Sequence, residues 1–222
     1  MSVEADSESR SGYHHGELPT TLMALAMAHI EAGGTEKLSL RALAREAGVS
    51  PTAPYRHFPT KQCLLAALAT QGFEQLYDRT LSAVQSDRSV DERFIQLGET
   101  YIGFALENPT AYQLMFGSVL GDFSEYDMLR VAAERSYEPV QALLQELIDA
   151  HNLKQDVVLL GGVVWSGVHG MASLLLNDMD KGTSRHMTRP GASVAALRNN
   201  LHEALQLMFA NLVGSSANPS SV

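Results

Sequence analysis

The residues with the clearest chemistry fall in one short stretch, from Arg41 to Lys61. Arg41, Arg45, Arg56 and Lys61 bring cationic donors. Ser50, Thr52, Tyr55 and His57 bring hydroxyl and imidazole groups, and Pro51 and Ala53 stand between them as small apolar contacts. Fixed cations beside short neutral donors suit the phosphate oxygens and base edges of duplex DNA. Arg41 and Arg45 stand four apart and could equally do no more than solvate a helix face.

Three other groupings invite chemistry. Trp165 and His169 also stand four apart, as a ligand pair or as a packing pair. Tyr101, Phe104, Tyr112, Met115 and Phe116 flank Asn108-Pro109, where aromatic and Met side chains line an apolar pocket or fill a core. His14, His15 and Glu17 could suggest a metal. Adjacent histidines point different ways, however, Cys63 is the sole cysteine, and no second cluster has ligand spacing. No metal and no cofactor is expected. The chain has no Gly-rich phosphate loop after a strand and no G-x-S-x-G, so it does not read as an enzyme.

The elements that must position these residues read as helices throughout. The first runs from about Leu18 to Ala32, with Leu22, Leu25, Ala26, His29 and Ile30 on one face, and Gly33-Gly34 ends it. Ser39 is the expected N-cap of a second helix bearing Leu40, Leu43, Ala44 and Ala47, which stops at Gly48. A third, very short helix opens at Ser50-Pro51, and Thr60 caps a long fourth that carries Leu64, Leu65, Leu68, Phe73 and Leu76. Helices two and three have helix-turn-helix spacing: Ala44 is small where the helices cross, Gly48 turns the chain, and Val49 fills the angle. The second helix of such a motif enters the major groove. That puts Pro51, Thr52 and Ala53 at the groove-facing end. Tyr55, Arg56 and His57 reach the groove wall, with Arg41, Arg45 and Lys61 on flanking phosphates. Pro54 lacks an N–H, so the recognition helix should begin distorted.

Longer helices follow: Val90 to Glu107, Pro109 to Phe116 closed by Gly117, and about Glu125 to His151 with a kink expected at Pro139. Two more span about Gln155 to Asn177 and Ser193 to Val213, joined by a polar loop. Gly161, Gly162, Gly167 and Gly170 each cost a helix interior about 1 kcal/mol relative to Ala, which implies close approach by another helix. Val194, Leu197, Leu201, Leu205, Met208 and Leu212 form a stripe on the last helix. Gly162, Gly170 and that stripe, with their copies in a second subunit, would make a four-helix homodimer interface; an internal core is the alternative.

A hydrophobic fraction of 45% is enough for a real core, and the net charge of −9 sits poorly with nucleic acid until its distribution is seen. Arg10, Lys37, Arg41, Arg45, Arg56 and Lys61 outnumber Glu17, Glu31, Glu36 and Glu46, so the excess acid lies outside that segment. Four of the eight histidines (His14, His15, His29, His57) lie there too. The lone cysteine and a polar, acidic start unlike a signal peptide point to the cytoplasm. The longest apolar stretch, Val157 to Leu176, is interrupted by Gly, Ser and His, so no membrane span is expected. The organisation expected is a disordered tail over 1–12, a helix-turn-helix domain over 13–68, a helical dimerisation and effector domain over 69–213, and a second tail over 214–222.

The run SLRALAREAGVS, then PYRHF, then KQCLLAAL resembles the DNA-binding domain of the tetracycline-repressor (TetR) family over Tyr13 to Leu68. The resemblance implies phosphate contacts from Tyr55, His57 and Lys61, with Phe58 in the core. Y-H-H-G before the first helix, A-P-Y-R-H-F, and W-x-x-x-H-G at Trp165, His169 and Gly170 resemble the subgroup with a WHG-type C-terminal domain. That implies an N-terminal arm near phosphate, an all-α fold, dimerisation through the last two long helices, and an effector inside the C-terminal domain. The expected function is a DNA-binding regulator, a repressor released from a double-stranded operator by a small apolar effector. The alternative is a helix-turn-helix protein-interaction module without effector control, which would lack salt-dependent, sequence-specific DNA retention.

Overall fold

The computed structural model describes residues 17–181 and 189–214. The expected tail over 1–12, the pair His14 and His15, all of the second tail after Gly214, and most of the loop before the last helices lie outside the described residues. Every regular element among the described residues is helical, and the chain divides into two units between Leu65 and Ala66.

In the first unit α1 (Leu18–Gly33) buries Leu18, Leu22, Ala26 and Ile30, one residue per turn, and Gly34 at φ +76° takes the chain out of the helix. A short 3-10 turn, Thr35–Lys37, leads to α2 (Leu40–Glu46). Ser39 holds the extended N-cap backbone, but its side chain makes no capping bond, contrary to expectation; its carbonyl simply accepts the first helical N–H, from Leu43. The other end is a Schellman closure: Gly48 at φ +69° donates to Arg45 O, and Val49 reaches back to Ala44 O at 2.9 Å. That pair of bonds sets the sharp turn between the two arms of the helix-turn-helix.

The third helix of the sequence reading is reduced to a 3-10 turn, Ala53–Arg56. Pro54 has no N–H to give Ser50 O, so the carbonyl takes the Ala53 N–H at 3.0 Å instead, tightening the turn. Thr60 does cap the next helix, accepting from Cys63 N at 3.1 Å, and α3 runs from Lys61 to Val84 across the boundary of the two units.

In the second unit α4 (Val90–Glu107) starts at a full capping box. Ser89 Oγ accepts from Glu92 N while the Glu92 carboxylate accepts from Ser89 N, an element the sequence reading passed over. α5 (Pro109–Phe116) ends with Gly117 N on Gln113 O. α6 (Asp127–His151) continues through Pro139 without a break, and a 3-10 turn at Phe123–Glu125 precedes it. α7 (Val157–Lys181) packs on α4 and α6.

The expected final helix is two: α8 (Arg189–Asn199) and α9 (Leu201–Gly214). The break falls at Asn200, whose side-chain amide donates to Ala196 O at 2.9 Å and competes with the regular ladder. Arg198 lies 3.0 Å from the buried Asp178 carboxylate and donates to Leu175 O, tying α8 to α7. One expectation about hydropathy is also corrected. Val157–Met179 has a mean hydropathy of 1.6, so by length and composition it could cross a membrane. Gly and Ser fall within one continuous helix there, and the first acid on α7 is Asp178.

Candidate nucleic-acid interface and ligand cavity

The first unit builds a polar face on a few apolar anchors. Pro54 and Phe58 are buried, and Phe58 N donates to Pro54 O at 2.9 Å, closing a loop around the residues between. With both ends of Tyr55-Arg56-His57 pinned, all three side chains are held outward and exposed. Pro51 and Thr52 are exposed on the preceding turn, Ser50 and Thr52 hydroxyls sit 3.3 Å apart, and Ala53 is half-buried. Arg41 and Arg45 are exposed on α2 while Leu40, Leu43 and Ala44 on its other side are buried. Lys61 differs. It is half-buried, and its ammonium donates to Thr35 O at 3.3 Å, so it also staples the α3 start to the Thr35–Lys37 turn.

The second unit encloses a cavity of about 490 Å³ between α3, α4, α5, α6, α7 and α9. Four of the seven sequence candidates line it: Tyr101, Met115, Phe116 and Trp165. Tyr112 and His169 stand behind that lining. Tyr112 Oη is 2.7 Å from His169 Nδ1, and Tyr101 Oη is 3.1 Å from both. The two phenols and the imidazole thus form a closed triangle of hydrogen-bonding groups, in which the tautomer of His169 sets which group donates. Burial pushes the Tyr112 and Tyr101 phenols up and the His169 imidazole down, so all three are neutral at pH 7.

Phe104 is a correction. It is fully buried, with Arg79 over its ring at 5.5 Å, and does not reach the cavity, because it points to a different side of α4 from Tyr101. Sequence reasoning missed Phe73, Phe94, Tyr137 and the α7 glycines Gly161 and Gly162 as lining residues. Helix periodicity gave no signal for them, because it marks a face and not the neighbour that face meets. Among the described residues none that lines the cavity is an Asp, Glu, Lys, Arg or His. Among the described residues no three His, Cys, Asp or Glu side chains converge as a metal site.

The residues expected at a subunit contact divide sharply. Leu205 is fully buried in its own chain against Gly98 of α4, and Met208 lines the cavity beside Gly167. Leu205 thus belongs to this chain's own core, and the half-buried Met208 is taken up by the cavity wall. Val194, Leu197 and Leu201 are half-buried. Gly162 is exposed but borders the cavity. The outer face of α7 carries Leu159, Val163, Ser166, Gly170 and Leu174, at steps of four, three, four and four, with Leu159 64% and Val163 53% exposed. Leu207, 61% exposed, is its counterpart on α9. A Cβ built on Gly170 meets nothing, whereas one on Gly161 would lie 1.9 Å from Tyr137 Oη.

Residues 22–68 match the family model for bacterial regulatory proteins of the tetR family, and residues 94–201 match the tetracyclin repressor-like C-terminal domain. The nucleoid occlusion factor SlmA of Marinomonas sp. (strain MWYL1) is 31% identical over 134 residues, 60% of this chain and 66% of that protein, so the match spans just under two thirds of the relative's length. A protein of unknown function from Rhodococcus sp. RHA1 superposes with a TM-score of 0.73 at 29% identity, covering 93% of this chain and 98% of the other. The transcriptional regulator FadR from Bacillus subtilis, solved in complex with stearoyl-CoA, superposes with a TM-score of 0.64 at 15% identity over 84% and 96% of the two chains, a likeness of fold.

Proposed function

The chain belongs to the TetR family of DNA-binding transcriptional regulators, and we propose that it is a homodimeric repressor that a small apolar effector releases from its operator. The observation that carries the effector half is the uncharged cavity of about 490 Å³ in the second unit. It falls in the usual size range of small-molecule sites. The FadR structure holds stearoyl-CoA on a similar fold, and the hydrocarbon chain of that ligand, not its charged head, is the part that resembles the effector proposed here.

For DNA, Pro51, Thr52 and Ala53 face the major groove, while Tyr55, Arg56 and His57 contact its wall and phosphates. Arg41 and Arg45 add flanking phosphates, and Lys61 does so only where its bond to Thr35 leaves a donor free. For dimerisation, the α7 face from Leu159 to Leu174 meets its copy, with Leu207 at the edge. Gly170 supports this reading: its helical cost is about 1 kcal/mol and none of the described residues uses the space it leaves. A helix of α7's hydropathy with so much of it exposed is also explained by a partner chain in the cytoplasm.

The effector acts through α3. Phe73, Leu76 and Thr80 line the cavity, and the same continuous helix begins at Lys61. A ligand that prefers one setting of these turns biases the separation of the two DNA-reading heads, and coupling of about 1–3 kcal/mol is the usual scale.

The test is selection of bound genomic fragments, followed by operator binding with and without compounds that raise the melting temperature. Release by at least one stabilising compound is expected. If stabilising compounds leave operator affinity unchanged, effector control fails and the second reading gains. That reading, favoured by the name of the Marinomonas relative, has the DNA-bound protein working as a nucleoid occlusion factor without effector control.

A further inference from the structure

The cavity lining holds few polar groups, and nearly all of them are already committed. Thr80 Oγ1 donates to Leu76 O at 2.9 Å, and Ser136 Oγ donates to Ala133 O at 2.7 Å. Tyr101 Oη is taken up by Tyr112 Oη and His169 Nδ1, 3.1 Å from each. Tyr137 is different. Its hydroxyl forms no hydrogen bond to any described residue, although the ring borders the cavity and is half-buried. Burial raises its phenol above the ordinary range, so the proton stays on.

Gly161 explains where that hydroxyl sits. It is buried on α7, and a Cβ there would lie 1.9 Å from Tyr137 Oη, so only glycine lets the phenol reach this place. A phenol donor left unspent at the wall of an apolar cavity loses its water partners when a ligand fills the space, and is then stabilised only by an acceptor that the ligand brings. A carboxylate or phosphate would accept the bond but would also enter a cavity with no cation among its described lining residues to balance the charge.

We infer that Tyr137 is the specificity-determining residue of the effector cavity: it selects an uncharged, mainly hydrocarbon ligand bearing one hydrogen-bond acceptor, such as a ketone, ester or quinone oxygen. The inference rests on the cavity being the effector site. Trp165, the only tryptophan, lines the same space and reports occupancy by its fluorescence.

The experiment titrates the full-length protein with three probes of equal carbon count: butylbenzene, butyrophenone and 4-phenylbutyrate. The ketone is expected to bind tightest and the carboxylate weakest. Tyr137→Phe should weaken the ketone about tenfold and leave butylbenzene unchanged, the scale of one hydrogen bond. Gly161→Ala, which displaces the hydroxyl, should narrow the same gap in a second background; circular dichroism melts confirm that both variants fold. Equal affinity of ketone and hydrocarbon in the unmutated protein overturns the role of Tyr137 while leaving the cavity as a binding site. So does a ketone preference that survives Tyr137→Phe, or a carboxylate that binds tightest. If none of the three perturbs Trp165 at saturating concentration, the effector reading of the cavity falls, and this inference with it.

Discussion

His169 Nδ1 lies 2.7 Å from Tyr112 Oη and 3.1 Å from Tyr101 Oη, in surroundings whose burial disfavours a charged imidazole. Burial lowers the His169 pKa from its ordinary 6.5. The unfolded chain therefore binds this proton more readily than the folded one, and the stability His169 contributes is present above about pH 6.5 and lost as pH falls through the window below it. The melting temperature should drop between pH 7 and pH 5.5. Part of that drop should vanish in His169→Gln, which keeps an acceptor for Tyr112 but cannot titrate. An identical pH dependence in the variant would show that other groups carry it. On the DNA side, Tyr55 is the cleanest probe because its exposed hydroxyl has no partner among the described residues. Tyr55→Phe should weaken all duplex sequences alike, by about 0.5–1.5 kcal/mol. Lys61→Ala would mix that effect with loss of the bond to Thr35 O, which a melt can separate.

At the scale of elements, helix ends and helix glycines carry most of the information. The Ser89–Glu92 box fixes the start of α4, which supplies Phe94, Leu97, Gly98 and Tyr101 to the cavity. Ser89→Ala should cost about 1 kcal/mol by denaturant titration, with little change in slope. The glycines of α7 serve different neighbours, and alanine tells them apart. At Gly161 the new methyl collides with Tyr137, and at Gly167 it comes within 2.9 Å of Met208 Sδ. At Gly170 it enters open space. Gly170→Ala should thus raise the intrinsic stability of the isolated subunit by up to about 1 kcal/mol while weakening the proposed dimer. A variant no less prone to dimerise, measured by sedimentation, would remove Gly170 from the interface.

For the whole molecule, the net charge of −9 and a cationic reading face are reconciled by where the charge sits. Operator affinity should fall with log salt at a slope of about −0.9 per phosphate contacted. A flat salt response would exclude phosphate-led binding. The dimer is tested where the exposed apolar face is, on α7. Val163→Asp or Leu159→Asp should give monomers in sedimentation, because a lone carboxylate is not cheaply desolvated at a helix contact. Leu205→Asp, by contrast, should unfold the subunit, since that side chain is fully enclosed against Gly98. Dimers that persist in both α7 variants would move the interface elsewhere.

Local chemistry was legible in the sequence because it is local. Gly48 as the hinge, Thr60 as a cap, the stop at Asn108-Pro109 and the closure at Gly117 follow from backbone rules within a few residues. So did the distortion at Pro54, though not its extent. The stripes on the last helix were legible only as amphipathic, since periodicity gives a face and not its neighbour. Whether Leu205 or Leu207 turns inward depends on which residue finds the gap at Gly98, a contact more than a hundred positions away in sequence. The same holds for Phe104 and Tyr101, one turn apart on α4 with only Tyr101 at the cavity. Tyr137 gained its place from a glycine on another helix, and its free hydroxyl from what its neighbours had already spent. Those are facts of packing, and packing is decided by the tertiary structure alone.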